Sequence, residues 1–173
     1  MTNKIIFDRS VLNWIAADNT GTPSTTSFVP NAPLLGHGFT LAMARPEDDL
    51  SDLDAAIQEI RPGARVLSLS APEAHAGEGQ LLFLNQLLDA AHAPMTLAEN
   101  FDQAIVSLPS RICQAADFLI VYHAERLGTE CLHWMRRDKG MPPVILIAYD
   151  ERILGTLQKD LALIRYAYFF NLR

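Results

Sequence analysis

The chain has 173 residues, of which 49% are hydrophobic and 20% charged, a balance typical of one folded domain with a full core. Its formal net charge of −6 argues against non-specific binding to nucleic acid or anionic membranes, because both require a basic surface. No apolar run reaches the roughly 18 residues that span a bilayer. The first residues lack the apolar core of a signal peptide, so we expect a cytoplasmic protein.

Two cysteines, Cys113 and Cys131, both fall within predicted helices and do not form a C-x-x-C pair. We expect both to be buried, reduced thiols, as is common in the cytoplasm.

The N-terminal region gives the weakest pattern. Residues 20–33 are rich in Thr, Ser and Pro and are predicted to form a loop. We therefore predict an N-terminal arm and loop over residues 1–38, followed by an α/β domain over residues 39–173. The pattern is equally compatible with an arm that contacts a partner.

From residue 39 onwards, strand and helix patterns alternate along the chain. Strands are predicted at 39–44, 65–70, 94–98, 118–122 and 144–149, and helices at 51–61, 80–91, 100–115, 129–138 and 151–159. Ser51 is predicted to cap the first of these helices, and Pro109 to interrupt the helix over 100–115. Residues 161–173 are predicted to form either a strand followed by the start of a helix or one continuous apolar helix. In both cases we expect the segment to be buried, in this domain or against another copy of the chain.

The central unit of this pattern spans residues 116–150. Its two strands read FLIVY (118–122) and VILIAY (144–149) and are almost wholly apolar, as expected when helices cover both faces of a parallel sheet. We predict a three-layer, doubly wound α/β fold with a mainly parallel sheet of about five strands, flavodoxin-like in layout, with an N-terminal extension.

Polar residues follow several of the predicted strands. Because parallel strands bring their carboxyl ends to one edge, these residues form a candidate ligand rim: Glu73, His75, His123, Glu125 and Asp150. A His/carboxylate metal or acid–base site is one interpretation. Helix capping and solvated loops are the interpretation we favour, because no pair has a metal-ligand spacing such as H-E-x-x-H. We predict no metal and no cofactor.

A small group of basic residues surrounds the helix predicted at 129–138. It consists of Arg126, Arg136, Arg137 and Lys139. We interpret the group as a solvated helix face rather than a binding site, because positive charge is favoured near the carboxyl end of a helix.

Five segments between residues 63 and 150 carry a resemblance. In chain order they are RVLSLS, TLAENFDQAI, ADFLIVY, GTECLHWMRRDKG and PPVILIAYD. Together they resemble the receiver domain of two-component response regulators over about half of the chain. The strand predicted at 39–44 precedes the family's first strand. We therefore expect it to be an extra strand at one edge of the sheet, either as an addition or in place of a strand lost at the C-terminal end.

The resemblance also implies a set of phosphotransfer residues. The family uses a carboxylate at the end of the third strand, an acidic pair that holds Mg²⁺ after the first strand, and a Ser or Thr on the fourth. These positions fall here on Tyr122, on Ser70 and Ala71, and on Ala148. Since Mg²⁺ would lack anionic oxygen ligands, we expect no aspartyl phosphorylation.

Two functions follow as expectations. The first is a non-phosphorylated, receiver-like regulatory domain that acts through a protein partner or as a homodimer, with no membrane insertion and no direct nucleic-acid binding. The alternative is a small flavodoxin-like enzyme, or a nucleotide- or ligand-binding protein, that uses the His/carboxylate rim. Whether an effector domain follows Arg173 stays open.

Overall fold

A computed structural model describes residues 3–4, 28–30, 39–73, 78–91, 101–136, 140–160 and 167–171. Its helices are α1 (Asp52–Ile60), α2 (Glu78–Ala90), α3 (Phe101–Ala115), α4 (Thr129–Trp134) and α5 (Arg152–Gln158), with a 3₁₀ turn at Ala124–Arg126. Its strands are β1 (Asn3–Lys4), β2 (Phe28–Pro30), β3 (Phe39–Met43), β4 (Asp48–Asp49), β5 (Val66–Ser70), β6 (Phe118–Tyr122), β7 (Val144–Ala148) and β8 (Ala167–Asn171).

Six of these strands form one sheet in the order β2-β8-β3-β7-β6-β5. The five strands from β8 to β5 run parallel, and β2 pairs antiparallel with β8 at one side. The predicted α/β fold with a mainly parallel sheet of about five strands is therefore confirmed, as is its flavodoxin-like layout. β1 and β4 pair with each other, apart from this sheet.

Apolar residues cover both faces of the sheet. Side chains along β7 alternate between two clusters, with Leu146 facing α2 to α5 and Ile147 facing α1. All five residues of β7 are buried, which is the pattern of a central parallel strand. The described helices therefore divide four to one between the two faces, and the sheet forms the middle of three layers.

The position of β3 differs from the prediction. We expected the strand at 39–44 to lie at an edge, but β3 pairs with β7 on one side and β8 on the other. The reason is the segment predicted as an apolar strand or helix at 161–173, because Ala167–Asn171 adds β8 outside β3. The strand alternative for that segment is thus correct for residues 167–171. The strand predicted at 94–98 lies outside the described residues.

Two local predictions need correction. Ser51 stands at the N-cap of α1 as predicted, but it makes no side-chain hydrogen bond there, and its φ of −59° and ψ of −25° are helical rather than the extended values typical of a capping serine. α3 continues through Pro109 without a break. Leu108, directly before the proline, and Ile112, in the following turn, are fully buried, so packing on both sides of the proline holds the helix together.

The two cysteines differ in environment. Cys131 is buried, and burial raises the pKa of its thiol to about 12, so it stays protonated. Cys113 is exposed, contrary to prediction, because it lies one position beyond the inward-facing Ile112 on α3. Its Sγ donates to the Gly140 carbonyl at 3.0 Å.

Among the described residues, no helix combines the length and apolar character that crossing a bilayer requires.

Candidate functional site

A cleft of about 760 Å³ lies at the carboxyl ends of the parallel strands. The strand register aligns these ends, since Ser70 pairs with Tyr122 and Tyr122 with Ile147. The cleft is lined by Glu73, His123, Glu125, Arg126, Tyr149, Asp150 and Arg152. Its volume is within the range of roughly 300–1,000 Å³ that small-molecule sites occupy.

Four of the five predicted rim residues meet in this cleft. Glu73 follows β5, His123 and Glu125 follow β6, and Asp150 follows β7. The fifth, His75, lies outside the described residues. The sequence argument that parallel strands gather their following loops at one edge therefore describes the geometry of these four side chains.

A tight turn after β6 positions His123 and Glu125. His123 adopts the left-handed conformation, with φ 57° and ψ 41°, and is the only described non-glycine residue with positive φ. The 3₁₀ turn that follows is fixed to the core by Ala124 and Leu127, which are 0% and 5% exposed. Backbone strain of this kind is concentrated at functional sites in proteins, which makes this turn a candidate.

Glu125 connects the loops that follow β6 and β7. Its side chain is only 6% exposed. One carboxylate oxygen, Oε1, lies 3.1 Å from Nδ1 of His123, and the other, Oε2, accepts the backbone N–H of Tyr149 at 3.1 Å. The buried carboxylate thereby fixes the imidazole through Nδ1, and Nε2 is the ring nitrogen left to face a ligand.

Arg126 connects the loops that follow β6 and β5. Its Nη1 donates to the Ala71 carbonyl at 3.2 Å, and its Nη2 donates to Oε1 of Glu73 at 2.8 Å. The Arg126 side chain is 28% exposed and that of Glu73 is 82% exposed. The guanidinium is therefore anchored on a backbone carbonyl and only loosely paired with a solvated carboxylate. Of the predicted basic group, Arg126 lines the cleft and Arg136 is partly buried, whereas Arg137 and Lys139 lie outside the described residues.

Asp150 begins the turn into α5. Its carboxylate accepts the backbone N–H and the side-chain Nε of Arg152, both at 2.8 Å. The hydrogen bond from the backbone N–H of Arg152 is the main cause that lowers the pKa of Asp150, and the Arg152 guanidinium lowers it further. Asp48 and Asp49 act similarly after β3, where they accept the backbone N–H of Arg45 and Ser51. These three positions fit the predicted turn role of acidic residues, while neither α1 nor α5 has a side-chain hydrogen bond from its N-cap residue.

Two tyrosines lie at the same end of the sheet. The ring of Tyr149 lies 4.7 Å from that of His123, tilted by 45°. Burial raises the pKa of Tyr149, with further contributions from the Glu125 and Asp48 carboxylates. Burial likewise raises the pKa of Tyr122 to about 12, with Asp54 and Tyr149 adding to it. Both phenols are therefore neutral near pH 7.

The three positions matched to phosphotransfer residues differ in environment. Ser70 is exposed, and Tyr122 is partly buried against the cluster that faces α1. Ala148 is fully buried, and its carbonyl accepts the N–H of Ala44 at 2.9 Å. Within the described ranges, no group of three or more His, Cys, Asp or Glu residues could hold a metal ion.

Sequence reasoning did not include three of the lining residues in the rim. Arg126, Tyr149 and Arg152 line the cleft beside the predicted residues. Position after a strand could have identified Tyr149, which directly follows β7. Arg126 and Arg152 have no such signal, because each enters the cleft through a turn whose direction depends on contacts made elsewhere in the fold.

No protein-family model, curated protein or solved structure matches the chain. The cleft and its contacts are therefore the basis for a functional proposal.

Proposed function

We propose that the chain is a receiver-like regulatory domain that is not phosphorylated and acts by binding another protein. The observation that carries this proposal is the Arg126 guanidinium, which contacts the carbonyl of Ala71 and the carboxylate of Glu73. Ala71 is one of the two positions where the resemblance implies an Mg²⁺ ligand. Because a guanidinium is permanently cationic, it repels a divalent ion from this part of the cleft.

The strand ends give further support. Tyr122 stands where the resemblance implies the phospho-acceptor carboxylate, and its raised pKa keeps the phenol protonated and weakly nucleophilic. Ala148 presents a buried methyl group where the family has a hydroxyl. The α/β layout fits the resemblance while these chemical groups differ from those that the family uses, which supports a role in protein contact rather than in phosphotransfer.

The identity of the partner is part of the proposal. The aromatic segment at 161–173 first suggested a second copy of the chain. β8 takes both of its described strand partners, β2 and β3, from the same chain, so its backbone does not require a second copy. We therefore propose a partner protein of different sequence on the same footing as a second copy of the chain. Cytoplasmic location stays a prediction.

Incubation with acetyl phosphate and Mg²⁺, followed by intact-mass measurement, tests the first half of this proposal. We expect no added phosphoryl group, while a phosphorylatable receiver treated in parallel gains one. Phosphorylation of this chain would overturn the proposal. Sedimentation equilibrium over a wide concentration range tests the second half, because self-association would identify the partner as a second copy and a persistent monomer would exclude the homodimer.

A second function rests on the cleft itself. We propose, as the alternative, that the cleft binds a small ligand, because four predicted rim residues converge on a cavity of ligand size. A thermal-shift screen with nucleotides, flavins and divalent metals tests it. A ligand at 100 times its dissociation constant stabilises a protein by about 2.7 kcal/mol, which is readily measured. The shift should disappear in His123→Ala, and a shift that survives this change would place the ligand elsewhere.

A further inference from the structure

The charged side chains of the cleft differ in how firmly they are held. Glu125 is 6% exposed and committed to His123 and to the Tyr149 N–H. Glu73 and Asp150 are 82% and 43% exposed, and each pairs with one arginine. Exposed ion pairs add little stability, so an incoming ligand can replace Glu73 at small cost. It can also compete for the Arg152 guanidinium, while the backbone N–H of Arg152 keeps Asp150 in its turn. It cannot easily replace Glu125.

Arg126 keeps its place when Glu73 leaves. Its Nη1 contact with the Ala71 carbonyl does not involve Glu73, so the guanidinium stays directed at the cleft. Such a group needs little reorganisation before it binds an anion, and guanidinium groups favour oxyanions because their N–H donors match two oxygens at once.

Two more donors line the same cleft, Arg152 from the loop after β7 and His123 from the loop that also carries Arg126. Arg152 lines the cleft and engages Asp150 through Nε, and its side chain is 76% exposed, so its guanidinium is accessible to a ligand there. His123 is fixed by Glu125 through Nδ1, so Nε2 can donate to an anion when the ring is protonated. Three donors therefore converge from the loops after β6 and β7.

We propose that the cleft binds a phosphate-bearing small molecule through Arg126, Arg152 and His123. This inference rests on the second function proposed above and names its ligand class. A terminal phosphate has three oxygens for these three donors, whereas a carboxylate has two. The cavity of about 760 Å³ is larger than one inorganic phosphate requires, so the remainder of the ligand would lie against Tyr149.

Calorimetric titration at constant ionic strength and without metal tests this proposal. The probes are pyrophosphate, adenosine triphosphate and, as a neutral comparison, adenosine. We expect both phosphate compounds to bind and adenosine to bind at least tenfold more weakly than adenosine triphosphate. Arg152→Gln and Arg126→Gln should each weaken phosphate binding about tenfold, and His123→Gln should weaken it severalfold.

Two variants make the test specific. Glu73→Gln removes the carboxylate that competes for Arg126, so phosphate affinity should rise severalfold. Arg61→Gln is the matched control, because Arg61 is also exposed but pairs with Asp117 at the opposite end of the strands. Arg152 and Glu73 are solvated, so their variants should fold even where Arg126→Gln does not.

The possible results separate the inference from the function on which it rests. If phosphate compounds bind equally well to wild type, Arg152→Gln and Glu73→Gln, or lose affinity only in Arg61→Gln, the inference is wrong. If adenosine binds as tightly as adenosine triphosphate and pyrophosphate does not bind, the phosphate inference fails while ligand binding stands. If neither phosphate compound binds wild type or Glu73→Gln, the inference is wrong. Ligand binding then also fails if the thermal-shift screen finds no ligand.

Discussion

Replacing Glu125 tests whether one buried carboxylate holds the cleft together. Glu125→Ala removes the acceptor for the Tyr149 backbone N–H and the partner of His123 Nδ1. Glu125→Gln retains a side-chain carbonyl that can accept the Tyr149 N–H, but it removes the negative charge. The pair of variants therefore separates hydrogen bonding from charge at the same position.

The expected cost of Glu125→Ala follows from these two contacts. Leaving the half-buried N–H of Tyr149 without an acceptor costs about 1–3 kcal/mol. The contact with His123, whose side chain is 36% exposed, adds up to about 1 kcal/mol. We expect Glu125→Ala to lower the free energy of unfolding by about 2–3 kcal/mol and Glu125→Gln by about 1 kcal/mol.

Urea unfolding followed by circular dichroism measures both values. The slope of the unfolding free energy with urea should stay constant, which would show that only stability has changed. Glu73→Ala is the control, because its exposed pair should contribute less than about 1 kcal/mol. The reasoning is refuted if Glu125→Ala lies within about 0.5 kcal/mol of wild type, the range of ordinary surface changes, or if Glu125→Gln costs as much as Glu125→Ala.

Three other predictions concern backbone strain and titration. His123→Gly should be more stable than His123→Ala by about 1 kcal/mol in urea unfolding, because φ at this position is 57°; equal stability would contradict a left-handed turn. Gly155→Ala, inside α5 with open space around it, should stabilise by about 0.5–1 kcal/mol, whereas Gly63→Ala, at φ 78°, should destabilise by about 1 kcal/mol; the opposite order would refute both assignments. In a spectrophotometric titration, Tyr122→Phe should remove a transition near pH 12. Folding raises the pKa of the Tyr122 phenol from 10.0 to about 12, so between these values the folded protein keeps a proton that the unfolded chain loses. The contribution of Tyr122 to the free energy of unfolding should therefore fall as the pH rises above 10.0.

Much of the fold could be predicted because its central strands have a strong pattern. Unbroken apolar runs predict β6 and β7 since both faces of these strands are buried in the structure. The place of β3 could not be predicted in the same way. It depends on β8 pairing outside it, and the aromatic pattern of residues 161–173 is compatible with a helix as well as a strand.

The site could be predicted only in part, for a related reason. Parallel strands align their ends regardless of loop detail, so chain position alone brings His123, Glu125 and Asp150 to one edge. The direction of each side chain is set by turns. His123 needs a left-handed conformation that the sequence does not specify, and Arg126 reaches Ala71, which is 55 positions away in the chain. Such long-range contacts leave no local signal.

The sheet topology offers an independent argument for the same region. β3 and β7 are neighbours, but α1 after β3 packs on one face and α5 after β7 packs on the other. Ligands in doubly wound folds bind beside such a switch point, outside the carboxyl ends of the strands. Tyr149 directly follows β7 at this point. Burial is the main cause that raises its pKa, and the carboxylates that add to it, Glu125 and Asp48, come from the segments that follow β6 and β3. Strand order and side-chain contacts thus lead separately to Tyr149 and the cleft beside it.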